Sequence, residues 1–395
     1  MKIMFISPGG YMDFEDYKNQ VLLGTEYQFF ELGKALEKNG HAVFIVRKWH
    51  EAGSERISGI NVINIKSINI KKPGITLCLT KLVFSLHILT FLNKIKPDVL
   101  VIVDPITSFC SLRSDSVKVL VTHTMIPTVF LPNTGKQQRS KLLSKKVNEF
   151  FRENLFGQSD IIVALNPQIR DYFKIHGYNS MYIPNGVNIS KYIPSAEEKP
   201  YILYGGRLVK EKRVDLLIKA YSLLNGELRE KYRLLIIGSG SEEDNLKQYA
   251  ISCKVDNNVK FIPFLPNNQF IEYVSKCCIF VLPSMYECMP VSLLEAMALK
   301  RPVIASNVPG SNTVISHGVD GFLFSKNSAV ELKDYLSILL KDHELRREIG
   351  INARNKIEKT YVFDVVADQY LQLFLQYVNR PAVKETNMKN NLETA

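Results

Sequence analysis

The pattern that most restricts the fold is the recurrence of short, continuously apolar runs separated by longer helical segments. Val99-Leu100-Val101-Ile102-Val103 is one such run. A strand with one face in water alternates apolar and polar residues. An unbroken apolar run belongs in a parallel sheet covered by helices on both faces.

The first half reads as strands at about 2–7, 41–47, 60–65, 98–103, 117–122, 160–164 and 180–183, with helices at about 24–39, 75–95, 137–154 and 167–176. Gly40 ends the first helix. Pro184-Asn185-Gly186-Val187-Asn188 opens a polar linker that runs to about Pro200. A second alternation follows, with strands at about 201–204, 232–237, 258–262, 278–282, 302–305 and 322–324, and helices at about 211–224, 242–252, 267–275 and 290–299. Two successive helices fill about 328–359, a last one spans about 361–379, and the polar tail 381–395 reads as disordered. The expected fold class is α/β: two doubly wound, Rossmann-like domains facing a cleft, 1–184 and 200–360, joined by a linker at 185–199.

A hydrophobic fraction of 46% over 395 residues suits two cores and excludes a disordered chain. The six cysteines show no metal-binding spacing, which fits a reducing cytoplasm. Met1 to Pro8 is too short for a signal-peptide core and reads as a first strand. The apolar segment Ile75–Ile95 is interrupted by Lys81 and His87, so its unbroken part is too short to span a bilayer. Of the net charge of +11, +8 falls within residues 1–190. Lys71, Lys72, Lys81, Lys94 and Lys96 surround or interrupt the apolar segment, and Lys136, Arg139, Lys141, Lys145 and Lys146 form a second cluster. Together these suggest docking on an anionic membrane surface, although packing of helix 75–95 on the sheet is the simpler use of its apolar residues. No stacking platform accompanies the basic groups, so a nucleic-acid partner is not expected.

The chemistry concentrates in Tyr286-Glu287-Cys288-Met289-Pro290-Val291-Ser292-Leu293-Leu294-Glu295. Glu287 lies in a loop after the apolar run Ile279–Leu282, and Glu295 lies in the second turn of a helix that Pro290 is placed to start. Between the two acids are the free N–H groups of a helix N-terminus, which favour an anion. A ligand with hydroxyls at both ends and phosphate between them matches this order, as in a nucleotide-sugar. Tyr204-Gly205-Gly206-Arg207 ends the first strand of the second half, and Lys212 follows shortly after. Glycine admits close backbone approach, and Arg with Lys can neutralise a diphosphate. Ile236-Ile237-Gly238-Ser239-Gly240 is another glycine turn, but it lacks the full dinucleotide fingerprint. In the first half, Gly24-Thr25-Glu26 opens a helix and His123 follows a strand, both at positions facing the cleft. No metal site is expected; the acidic run Asp13-Phe14-Glu15-Asp16 lies in a loop.

Together these residues resemble glycosyltransferase family 4, the retaining nucleotide-sugar transferases of GT-B fold. The resemblance rests on Glu287-x7-Glu295, Gly24-Thr25-Glu26, Asn185-Gly186-Val187, the turn from Gly206 to Lys212, and the segment from Pro302 to Gly321. It implies that Glu287 contacts donor-sugar hydroxyls and Glu295 holds the ribose. It implies also that Arg207 and Lys212 stabilise the leaving diphosphate, and that the backbone around Gly206, Met289, Val291 and Ser292 binds sugar and phosphate. Gly24 would approach the phosphate from the first domain, His123 would bond the donor sugar, and the last helix (361–380) would cross back to the first domain. The sequence departs from the family pattern at Leu23, Cys288 and Pro309-Gly310-Ser311-Asn312-Thr313, which bears on donor preference.

The implied reaction is sugar transfer from a nucleoside diphosphate sugar, UDP or GDP being favoured, to a hydroxyl of a glycan or lipid-linked acceptor, with no cofactor. A cytoplasmic enzyme, peripheral on the inner face of the membrane, would fit. The alternatives are an epimerase or phosphorylase of the same fold, or a non-catalytic nucleotide-sugar-binding subunit.

Overall fold

The structure, a computed structural model, describes residues 1–7, 24–49, 52–66, 75–103, 114–122 and 156–380. The first sheet contains β1 (Lys2–Ser7), β2 (Ala42–Trp49), β3 (Gly53–Ile57), β4 (Ile60–Lys66), β5 (Val99–Ile102), β6 (Val117–Thr122), β7 (Ile161–Ala164) and β8 (Ser180–Tyr182), in the order β3-β4-β2-β1-β5-β6-β7-β8. The second contains β9 (Tyr201–Gly205), β10 (Arg233–Ile237), β11 (Val259–Ile262), β12 (Ile279–Leu282), β13 (Val303–Ser306) and β14 (Phe322–Phe324), in the order β11-β10-β9-β12-β13-β14. Every described pairing is parallel except β3 with β4. Each sheet reverses its winding beside its first strand, between β1 and β5 and between β9 and β12. Ligands of doubly wound sheets bind outside the carboxyl ends of the strands at such points.

The helices are α1 (Gly24–Lys38), α2 (Ile75–Ile95), α3 (Pro167–Ile175), α4 (Val214–Ser222), α5 (Gly226–Lys231), α6 (Glu243–Ser252), α7 (Asn267–Lys276), α8 (Val291–Ala298), α9 (Pro309–Val314), α10 (Ala329–Lys341), α11 (His343–Thr360) and α12 (Phe363–Val378). In α2, Phe84, Ile88 and Leu92 recur at helical spacing and bury against Met4, Ile6, Leu100 and Ile102. The apolar side of that half of α2 therefore covers the sheet, and among the described residues no helix is long and apolar enough to cross a membrane. The tail 381–395, the basic cluster 136–146, the helix expected at 137–154 and the acidic run 13–16 lie outside the described residues.

Several elements differ from the sequence reading. Strand β3 (GSERI) carries no apolar alternation; it is an edge strand whose residues are mostly exposed. Its Glu55 accepts from Asn64 Nδ2 at 3.0 Å and from the buried Arg47 at 3.3 Å. The helix expected over 211–224 is instead a 3₁₀ turn, Lys210–Lys212, followed by α4, because Arg213 is left-handed with φ 49°. Cys277 caps α7 and Cys278 precedes β12, so neither lies within the strand; both are free and buried.

Two segments pass between the domains, and they pair with each other. Val187 N–H donates to Tyr361 O at 2.7 Å, and Phe363 N–H donates to Val187 O at 3.3 Å. The Gln28 side-chain amide closes on Gly186 from both sides, donating to its carbonyl at 3.0 Å and accepting from its N–H at 2.8 Å. Beyond Phe363, α12 packs along α1. From Tyr192 onward the linker is held to the second domain by three arginines. Arg354 bonds Tyr192 O at 2.6 Å, Arg301 bonds Ser195 O at 2.5 Å, and Arg346 bonds the Glu198 carboxylate at 2.6 Å. The pivot is thus confined to about Asn185–Lys191 and its partner strand.

A β-carbon on Gly186 would lie 2.4 Å from the Phe363 ring, which is itself buried. Gly186→Ala is expected to cost about 1–3 kcal/mol, as overpacking of a filled core does, measured by urea unfolding. Wild-type stability would show that the crossing is loosely packed.

Candidate active site

The site is built on the carboxyl edge of the second sheet. Strand β9 is buried throughout and ends in Gly205, where a β-carbon would sit 2.2 Å from the Phe270 ring. Gly206 follows with φ 156°, and Arg207 comes next. The loop after β10 presses against this turn. A β-carbon on Gly238, at φ 145°, would lie 1.9 Å from Gly206 O, and one on Gly240 would lie 2.3 Å from Leu208 O. Gly206 N–H donates to Ile237 O and Leu208 N–H to Ser239 O, both at 3.0 Å. Gly238-Ser239-Gly240 therefore acts as a rest for the Arg207 turn. Only glycine permits that apposition.

Lys212 ends the 3₁₀ turn and points across the edge to Glu287, Nζ to Oε1 at 2.5 Å. Met285 N–H donates to Glu211 O at 2.8 Å, tying the two loops by their backbones as well. Gly310 N–H donates to Glu287 O at 3.0 Å, and a β-carbon there would stand 2.5 Å from that oxygen. From the first domain, Asn166 Nδ2 donates to Cys288 O at 2.8 Å and Asn185 Nδ2 to Met289 O at 3.4 Å. Sequence reasoning missed Asn166. Its signal was the Asn-Pro pair at a helix start: Asn166 Oδ1 caps α3 at Ile169 N, 2.9 Å, with Pro167 first in the helix.

Helix α8 opens on the same edge. Pro290 is its N-cap and not its first helical residue; its extended backbone turns the chain into the helix, and its carbonyl accepts from Leu293 and Leu294. No side chain caps α8, so the positive end of its dipole remains open. A cavity of about 1050 Å³ is lined by Gly206, Arg207, Lys212, Glu287, Met289, Val291 and Ser292, all seven of them sequence candidates. Arg207 is exposed and makes no ion pair among the described residues. Two cations, a helix N-terminus and a carboxylate thus share one concave surface, which suits a diphosphate joined to a polyhydroxyl group.

The remaining candidates are Gly24, His123 and Glu295. Gly24 is the first residue of α1, on the edge of the other sheet. His123 lies outside the described residues; it follows Thr122, whose carbonyl is 3.8 Å from Cys288 Sγ. Glu295 is not in the cavity wall. It is buried one helical step below Ser292 and accepts from the Tyr192 hydroxyl at 2.7 Å. Burial pushes its carboxyl up from about 4.5 to about 7, against the opposing effect of Tyr192 and Asn267.

Two largely parallel sheets wound in opposite directions from a central strand, with a cleft at a switch point, define a two-domain, doubly wound α/β protein. The sequence profile of glycosyl transferases group 1 matches residues 188–356, and that of glycosyltransferase family 4 matches residues 23–191. The chain belongs to glycosyltransferase family 4 and has the GT-B fold. It is 27% identical over 285 residues to an uncharacterised glycosyltransferase of Methanocaldococcus jannaschii, covering 69% of this chain and 71% of that one. It spans about half the length of other curated relatives it matches. Among solved structures it resembles sucrose-phosphate synthase from Thermosynechococcus elongatus, with a TM-score of 0.78 at 19% identity over 95% of this chain and 98% of that one. It also resembles Anabaena HepE in complex with UDP and glucose, with a TM-score of 0.69 at 18% identity over 95% of this chain and all of that one.

The raised carboxyl of Glu295 has a signed consequence. Between pH 4.5 and 7 the folded chain holds a proton there that the unfolded chain releases, so this group's contribution to stability falls as pH rises through that window. Glu295→Gln, which carries no charge, is expected to be more stable than wild type at pH 8 by about 3 kcal/mol and equal to it near pH 4. Denaturant unfolding across pH measures this. A pH-independent difference would remove the titration from the account.

Proposed function

We propose that the chain transfers a sugar from a nucleoside diphosphate sugar to a hydroxyl acceptor with retention of anomeric configuration. The observation that carries this reading is the single cavity in which Arg207, Lys212 and the open N-terminus of α8 stand opposite Glu287. Negative charge grows on the diphosphate as the glycosidic bond breaks. The two cations and the helix end stabilise that charge, the larger part of the rate enhancement in such transfers. Glu287 holds donor-sugar hydroxyls and Glu295 holds the ribose. The departing phosphate takes the acceptor proton on the face it leaves, so the new bond forms on that face. His123 and Gly24 complete the donor site from the first domain.

UDP or GDP is the proposed nucleotide. Support comes from HepE, whose structure holds UDP and glucose in the same fold. The proposed acceptor is a glycan or lipid-linked hydroxyl, and no metal takes part.

The test is calorimetric titration with UDP, GDP, ADP and their common sugar conjugates without metal, followed by product analysis by NMR. One nucleotide is expected to bind at micromolar concentration, and the product is expected to keep the donor's anomeric configuration. Lys212→Ala should lower kcat about 10²–10³-fold, the usual cost of removing a group aimed at developing charge. Glu287→Gln should do likewise, with unfolding still cooperative in both. Full activity in both variants would overturn the assigned roles, and an inverted product would overturn retention.

A further inference from the structure

Glu295 stands on the helix face of Ser292 and Val291, three and four residues earlier, and both of those line the cavity. Its carboxyl is buried behind that wall of the cavity. It accepts at 2.7 Å from the hydroxyl of Tyr192, a linker residue 1% exposed, and the Asn267 side chain also reaches it.

Tyr192 is fixed at its other end too. Arg354 Nη1 bonds Tyr192 O at 2.6 Å and reaches the carbonyl of Ala298, the last residue of α8. The tyrosine is therefore locked in register with the helix that carries Glu295. The residues just before it are gripped by the first domain. Lys191 Nζ bonds Glu31 at 2.8 Å and lies 5.0 Å from the Tyr27 ring centre, and Asn188 Nδ2 bonds Glu31 at 2.7 Å. Tyr192 thus sits where the chain leaves the grip of α1 and enters that of α8.

A carboxylate accepts a vicinal diol well only when its plane is set and both oxygens remain acceptors. With the Tyr192 hydroxyl removed, only the Asn267 side chain would hold it in this burial, and its plane would be less fixed. We infer that Tyr192 is a positioning residue for nucleotide recognition, its hydroxyl orienting the Glu295 carboxylate toward the ribose hydroxyls. This rests on the ribose-binding reading of Glu295 given above. A phenylalanine would fill the same core space and lose the hydroxyl, with its bond to Glu295 and its contact with the Tyr27 side chain.

The experiment compares Tyr192→Phe, Glu295→Ala and wild type in calorimetric titration with whichever of UDP, GDP and ADP binds best, and with its 2′-deoxy counterpart. Wild type is expected to prefer the ribonucleotide by about tenfold or more, as sites that bond a substrate hydroxyl do. Glu295→Ala should bind both forms equally. Tyr192→Phe should lose about tenfold for the ribonucleotide, the usual effect of removing a hydrogen bond to a charged group, and less than twofold for the deoxy form, with unfolding still cooperative. A purely structural tyrosine would weaken both ligands alike. Wild-type discrimination in Tyr192→Phe, beside its loss in Glu295→Ala, overturns the role of Tyr192. Wild-type discrimination in Glu295→Ala overturns the ribose-binding role of Glu295 itself.

Discussion

The site depends on backbones that touch where side chains would ordinarily keep them apart. Gly238 lies against Gly206, Gly240 against the carbonyl of Leu208, and Gly310 against the carbonyl of Glu287. At each contact the missing β-carbon lets one loop brace another. The turns that carry Arg207, Lys212 and Glu287 come from two strand ends, those of β9 and β12, and the loops after β10 and β13 brace them. Interlocked, they form one surface whose charges keep their spacing without a ligand. Such preorganisation lets fixed charges stabilise a transition state without first being rearranged.

The electrostatic arrangement is a balance of exposed and satisfied groups. Lys212 is paired with Glu287, so neither is a bare charge in a half-buried place. Arg207 is exposed to the cavity, and the first N–H groups of α8 have no side-chain cap. The surface therefore carries net attraction for an anion beside a neutralised ion pair. An open cation with a free helix end and a satisfied ion pair thus lie side by side along the same wall. Glu295, a step deeper, is costly to ionise where it stands, and Tyr192 offsets part of that cost.

Much of this was legible in the sequence, for identifiable reasons. Parallel strands buried on both faces announce themselves as unbroken apolar runs, so β5, β9 and β12 could be placed with their following loops. Positions at strand ends then fall on one edge of a sheet by topology alone, which is why seven candidates meet in one cavity. Strand β3 was illegible because it pairs through backbone and charge, not through apolar side chains. Asn166 was missed because its second role, bonding the Cys288 carbonyl, is a contact between residues 122 positions apart. Gly238-Ser239-Gly240 reads as an ordinary turn unless the opposing glycine is known. The burial of Glu295 behind the cavity depends on Tyr192, which no local pattern connects to it.

The docking of α12 on α1 bears on how the chain is made. Phe363, Val366 and Tyr370 meet Phe29, Leu32 and Val121 around a shared interior space, so the first domain is completed by a helix that follows the whole second sheet in the chain. While the second domain is still being synthesised, the side of α1 that α12 covers stays open, although its other side packs on the first sheet. Synthesis proceeds at only about 5–20 residues per second, and a nascent chain in that interval presents sticky surface to its neighbours. The connectivity therefore makes the cover of the first domain depend on a segment that follows the whole second sheet.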